Sequence, residues 1–281
     1  VQSGPQFSAD VGLLLSKVTK ATIKDINEMN KLIREMRKKA HQELRYHLFD
    51  CEWQDLAVIG WVDASQGNRP DGGSTGGLLM GLAPRRILDG KDVPVNIVHW
   101  SSNKLPREFL GSTGAEVQAI CSGEDAVFMG RMFWAELHGC EIERYKWDDI
   151  VKDNTCGAVV MDSRGIYDAA RNEKGLHGLR SARAGYEYQA AVEQARRAGA
   201  VFRWVHGGAQ LADSLTKARE RKVLEKFYST EQHWAIVHDD KITAFKKIQK
   251  KSLSDSVFEQ LRDEIVSGRM EPGEALPAGR G

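Results

Sequence analysis

One run constrains this chain more than any other: Leu56-Ala-Val-Ile-Gly-Trp-Val-Asp63. Apolar and small residues, rich in β-branched side chains, stop abruptly at a carboxylate and a polar turn. Such a run reads as a buried strand, and a strand holds a side chain more rigidly than a loop does. Asp63 is therefore well placed to hold a metal ion. It is equally suited to open the turn Asp-Ala-Ser-Gln-Gly-Asn68, because Asp is a common turn former. What decides between the two is whether other carboxylates share the setting.

The flanking pattern mixes strands and helices. A helix is predicted over residues 22–44, with Thr22 and Asp25 as its start signal. Ile26, Met29, Ile33, Met36 and Ala40 make one apolar stripe on it, read as a packing face, and its basic end could reach a phosphate backbone. Residues 76–82 and 95–100 read as strands that follow the Asp63 strand across turn-rich loops, an antiparallel meander. Helices are expected over 114–137, 163–170, 178–199 and 209–229, and short strands over 158–161 and 201–205. That order implies an α/β or α+β layered domain. Residues 1–20 carry no decisive pattern. The basic run at 246–251 marks a boundary, and residues 256–266 beyond it have a helix pattern of their own, closed by Gly268 and the turn Pro272-Gly273.

Composition narrows the function classes. The 281 residues include 40 basic and 39 acidic side chains, a net charge of +1, so any nucleic-acid-binding face must be local. No apolar run approaches the roughly 20 residues that span a bilayer, and no leader pattern stands at the start. The expectation is an intracellular protein with no membrane partner. Cys51, Cys121, Cys140 and Cys156 form neither a C-x-x-C pair nor a metal finger with histidine, so free thiols are expected.

Three more acids stand where Asp63 does, at the ends of predicted elements. Asp162 closes the strand at 158–161; Glu116 and Asp213 lie in the first turns of helices. Strand-end and helix-start acids can converge on one rim of a sheet. Clustered carboxylates repel unless cations neutralise them, and a pair of Mg²⁺ ions roughly 3.5–4 Å apart does this while clamping the oxygens of a phosphodiester. Taken singly, Glu116 and Asp213 could instead only complement helix N-termini, at about 0.3–1 kcal/mol each.

The order of the surrounding words adds a resemblance. Val62-Asp-Ala-Ser65, His99-Trp-Ser-Ser-Asn-Lys104, Ser112-Thr-Gly-Ala-Glu116, Val160-Met-Asp-Ser163 and Leu211-Ala-Asp-Ser-Leu-Thr-Lys217 resemble the ribonuclease H domain of copia-type LTR retrotransposon polyproteins. The last motif is the most specific, and the match covers about residues 50–230. Ser65, Ser163 and Gly114 depart from the family's usual Asp, Asn and Glu. The resemblance implies a ribonuclease H-like mixed five-stranded sheet flanked by helices. It implies that Asp63, Glu116, Asp162 and Asp213 are catalytic and bind two Mg²⁺ ions, with Mn²⁺ as a substitute. The implied substrate is the RNA strand of an RNA–DNA hybrid, read through 2′-hydroxyl and phosphate contacts. Ser65, Lys104 and Lys217 are then candidate substrate contacts, with Arg107 and Arg219 beside them, and His177 or His206 a candidate auxiliary group.

Domain limits follow the same comparison. Residues 1–50 resemble a helical remnant of the connection to reverse transcriptase, 51–245 the ribonuclease H domain, and 246–281 a linker and tail. The implied partner is the rest of the Pol polyprotein, above all reverse transcriptase, in the cytoplasm or a virus-like particle. Within the tail, Val257-Phe-Glu-Gln-Leu-Arg-Asp-Glu-Ile265 with Pro272-Gly-Glu-Ala-Leu-Pro277 resembles the opening of a GntR-type winged-helix regulator, cut off before a recognition helix. Two rival readings follow: a catalytically decayed fold that serves only as a nucleic-acid-binding or structural fragment, and a DNA-binding regulator resting on the tail alone.

Overall fold

Side-chain alternation decides how the central strand is used. In β1 (Leu56–Ser65), Ala57, Ile59 and Trp61 enter one apolar cluster with Leu211, Leu215 and Phe227. Val58 and Val62 enter another with Val117, Ile120 and Val127. A strand buried on both faces must be covered from both sides. The structure, a computed structural model, describes residues 4–108, 111–171 and 182–237. All of these lie in the compact unit 1–238.

β2 (Thr75–Pro84) pairs antiparallel with β1, and β4 (Asn96–Lys104), which follows the two-residue β3 (Val93–Pro94), pairs antiparallel with β2. This is the meander expected from the turn-rich loops. β5 (Cys156–Met161) then runs parallel to β1 on its other side, and β6 (Ala200–Trp204) parallel to β5. The strand order is β4-β2-β1-β5-β6. The chain thus has the mixed five-stranded, ribonuclease H-like sheet.

Helices cover both faces. On the even-numbered side of β1 lie α3 (Ser112–Leu137), α5 (Arg164–Arg171) and α6 (Ala182–Arg197), with α4 (Trp147–Asn154) packed against α3 and α6. The fit of α3 is close: a Cβ on Gly123 would stand 2.2 Å from Val62 Cγ1. Arg131, wholly buried on α3, donates to the carbonyls of Val151, Thr155 and Ala198 and so ties down the ends of α4 and α6. On the odd-numbered side lie α7 (Asp213–Thr216), α8 (Lys222–Ser229) and β7 (His233–Trp234), which pairs with β3.

The N-terminal segment belongs to this unit. α1 (Ser8–Leu15) and the short turn before it bury Gln6, Phe7 and Ala9 against α7 and β4. α2 (Ile23–Lys38) starts with the predicted capping box: the Asp25 N–H donates to Thr22 Oγ1 at 3.3 Å, and the Thr22 N–H to Asp25 Oδ2 at 2.9 Å. It ends well short of residue 44, and it does not bury the predicted stripe. Leu32 is its one buried residue, while Ile26 is 56% and Ile33 39% exposed. Ion pairs set the face instead: Lys17 with Asp25 and Glu28, Arg221 with Glu35, and Lys39 with Glu225. Past α2 the chain extends along the domain. The Gln232 and Asn96 side-chain amides each bond both polar groups of one peptide-bearing residue, Arg45 and His47.

The single helix predicted over 209–229 is two helices, broken between α7 and α8, where Arg219 takes a left-handed φ of 61°. All four cysteines are free, as expected. No described helix is long and apolar enough to cross a membrane. The GntR-like stretch and the boundary at 246–251 lie outside the described residues.

Candidate metal centre

Asp63 has the parity of Ile59 and Trp61, so its carboxylate faces α7 and not α3. It is only 2% exposed. Its cross-strand partner is Gly77. A Cβ there would meet Leu215 Cβ and Thr216 Cγ2 at 2.8 Å, so the missing side chain is what lets α7 lie on the sheet beside Asp63. Asp162 follows β5 directly, and the parallel register that pairs Trp61 with Val160 brings Asp162 next to Asp63. Asp213 is the first residue of α7.

Gln210 joins these pieces. Its side chain is fully buried, and its Nε2 donates to the Val62 carbonyl at 2.9 Å and the Val160 carbonyl at 3.4 Å. Its Oε1 accepts from the Ala212 N–H at 3.3 Å. One amide thus pins the start of α7 to the carbonyl just before Asp63 on β1 and to one two residues before Asp162 on β5. Trp204 adds a bond from Nε1 to the Asp162 carbonyl at 2.8 Å.

The result is a cluster. Ligand-grade oxygens of Asp63, Asp162 and Asp213 all lie within 4.8 Å of one another. Glu116 sits outside that triad but within electrostatic reach. Burial first, and then the charges of Asp63 and Asp162, push its carboxyl up to about 8. Burial also raises Asp63 and Asp162, and takes Asp213 to about 6. These carboxylates are difficult to ionise together unless a cation joins them.

A cation of the protein's own stands there. Lys217 Nζ is 2.6 Å from Asp213 Oδ1 and 3.5 Å from Asp63 Oδ2. Burial alone would lower the Lys217 pKa, but Asp63 and Asp213 raise it on balance, so the ammonium is held charged. The Thr216 hydroxyl donates to Asp63 as well. The donor set suits a hard divalent cation: three carboxylates on or directly beside rigid elements, close enough to share one ion.

The other predicted residues fall elsewhere. Ser65 ends β1 opposite Thr75. Lys104, at the end of edge strand β4, is paired with Asp71 at 2.6 Å and 45% exposed. Arg107 forms a bidentate pair with Glu187. Lys217 lies among the acids, with its side chain still 42% exposed. His206 is exposed beside Asp162, its Nδ1 accepting from the Gly208 N–H at 3.2 Å. His177 lies outside the described residues. Sequence reasoning did not single out Gln210, Thr216 as a partner of Asp63, or Gly77. Gln210 and Thr216 border the Leu-Ala-Asp motif, which was the available signal.

No protein-family model matches the chain, and no curated protein matches it. Among solved structures it is similar to ribonuclease H1 of Halobacterium salinarum NRC-1, at 13% identity over 60% of this chain and 98% of that one, with a TM-score of 0.33. It is similar to the N-terminal ribonuclease H domain of a Mycobacterium tuberculosis protein, at 16% identity over 61% and 98%, TM-score 0.36. It is also similar to a foamy viral protease–reverse transcriptase in complex with an RNA/DNA hybrid, at 12% identity over 72% of this chain and 27% of that one, TM-score 0.37. The fold assignment rests on the strand order and directions given above.

Proposed function

We propose that this chain is a divalent-metal-dependent ribonuclease H that cuts the RNA strand of RNA–DNA hybrids, derived from a copia-type retrotransposon polyprotein. One observation carries the reading: the oxygens of Asp63, Asp162 and Asp213 converge within 4.8 Å at a single rim of the sheet. In this reading Asp63, Glu116, Asp162 and Asp213 hold two Mg²⁺ ions, or Mn²⁺ in their place. When bound, the metal supplies Lewis-acid stabilisation of the charge that builds on the phosphate oxygens. The chain's own groups do the rest. β1 and β5 fix two acids, Gln210 fixes the third, and burial keeps most competing water from Asp63 and Asp213. With a metal held by the acids, Lys217 would be free to contact a substrate phosphate, as would Ser65 at the end of β1 and Lys104 at the end of β4. His177 is assigned an auxiliary role. Residues 1–50 are the remnant of the connection to reverse transcriptase, the natural partner, and 246–281 an appended tail.

The test is cleavage of a labelled RNA–DNA hybrid in Mg²⁺ by the parent and by Asp162→Asn. Loss of one ligand charge should slow cleavage at least about a thousandfold, roughly 4 kcal/mol of transition-state stabilisation. Equal cleavage by both proteins would sink the assignment. The position of Lys217 favours one rival, a decayed fold in which the ammonium has replaced the metal permanently. That rival requires the parent neither to cut the hybrid nor to bind Mg²⁺ in a calorimetric titration.

A further inference from the structure

A cleft of about 630 Å³ opens between α1 and α2 on one side and residues 68–70 and 218–221 on the other. Asp10, Glu28 and Glu35 line it, and each is already engaged. Arg221 holds Asp10 at 2.7 Å and reaches Glu35 with its other nitrogen, while Lys17 lies 3.9 Å from Glu28. Lys31, Arg69 and Arg219 line the same cleft. Among the described residues none of these three makes an ion pair. Lys31 and Arg219 are exposed, and Arg69 is half-buried. Arg69 Nε donates to Thr75 Oγ1 at 3.1 Å, and burial lowers its pKa, with Asp71 the acid that acts against this. Asp71 is itself taken by Lys104. Partly burying a guanidinium without a carboxylate costs free energy that a bound anion would recover.

The cleft is wired to the metal centre. Thr75 Oγ1 donates to Asn68 Oδ1 at 2.8 Å, Asn68 Nδ2 donates to the Thr216 carbonyl at 2.7 Å, and the Thr216 hydroxyl donates to Asp63. Arg219 lies two residues beyond Lys217. A chain of phosphates that reaches the acids therefore has cations in a concave wall next to it, and Arg presents a planar fork of donors that matches a phosphate.

We infer that this cleft binds nucleic-acid backbone, gripping phosphodiesters that adjoin the one held at the acids, with α2 of the N-terminal segment as one of its walls. The inference rests on the ribonuclease H reading for the identity of the ligand, but not on turnover.

The experiment compares hybrid binding by the full chain and by Lys31→Glu/Arg219→Glu, using fluorescence anisotropy in chelator across a salt series. Both positions are exposed, and a melting curve together with Mg²⁺ calorimetry verifies that the fold and the acids are intact. The double variant should bind at least about tenfold more weakly at low salt, and its slope of log affinity against log salt should be shallower by about 1.5–2, one phosphate contact per lost cation. The charge-preserving Lys31→Arg/Arg219→Lys should bind like the parent. If the reversed variant keeps the parent's affinity and slope, the cleft holds no phosphate. A parent that binds the hybrid in this salt-dependent way yet cuts nothing in Mg²⁺ overturns the nuclease reading alone and leaves the cleft standing.

Discussion

With its ammonium 2.6 Å from Asp213 and 3.5 Å from Asp63, Lys217 is the counter-ion that lets these buried acids ionise before any metal is present. A divalent ion entering the site must displace it. Lys217→Met keeps most of the side-chain volume and removes the charge. Calorimetry should show the variant binding Mg²⁺ about tenfold more tightly, a change of ~1.4 kcal/mol. In chelator its melting temperature should fall, because the carboxylates then repel without compensation. Weaker Mg²⁺ binding would mean that the lysine supports the metal instead of competing with it. The acids themselves were legible in the sequence, because each lies close to the end or start of a patterned element. Two placements differ from the expectation: β1 runs on past Asp63 to Ser65, and α3 starts at Ser112, so Glu116 lies beyond its first turn. The place of Lys217 was not, since a lysine four residues after an aspartate on a helix is usually a solvated pair. Only the third dimension shows that it also reaches Asp63.

α7 is a helix of four residues, too short to be stable by itself, and it is held by what it touches. Gly77 is the condition for that contact. Gly77→Ala would drive a methyl group to within 2.8 Å of Leu215 and Thr216, pushing α7 and Asp213 away from Asp63. Overpacking of this kind costs about 1–3 kcal/mol. The variant should melt lower and should bind Mg²⁺ at least about tenfold more weakly, if the loss falls on the site. Gly165→Ala, at an exposed position of α5 where an added Cβ meets nothing within 4 Å, serves as the control and should lower neither measurement. Sequence periodicity read one helix here because the apolar spacing continues through 209–229. It cannot register that Thr216 and Lys217 turn towards Asp63, or that the chain then reverses at Arg219. The same limit applies to α2: its capping box was readable from local chemistry, whereas its buried face was chosen by ion pairs to distant residues such as Glu225 and Arg221.

Across the whole molecule, buried carboxyls set the response to pH. Glu116 is raised to about 8 by burial and by Asp63 and Asp162, and Glu124, 2% exposed on α3, to about 7 by burial and Asp125. A glutamate in the unfolded chain titrates near 4.3, so between roughly pH 4.5 and 8 the folded protein holds protons that the unfolded chain has released. Stability in chelator should therefore be fully present below this window and decline as pH rises through it, by up to about 1.4 kcal/mol per pH unit for each proton. Melting curves from pH 5 to 8 test this. Glu116→Gln should flatten the decline in part, and saturating Mg²⁺ should flatten the Glu116 share while leaving that of Glu124. A melting temperature that climbs with pH in chelator would contradict the assignment. Because odd-numbered residues of β1 feed one cluster and even-numbered ones the other, inserting or deleting a single residue within the strand would swap the two cores and turn Asp63 from α7 towards α3 at the same stroke. Substitutions can erode this acid one lineage at a time, but length changes in the strand would destroy the fold together with the site, so surviving descendants should vary in their loops and keep the count between Leu56 and Asp63.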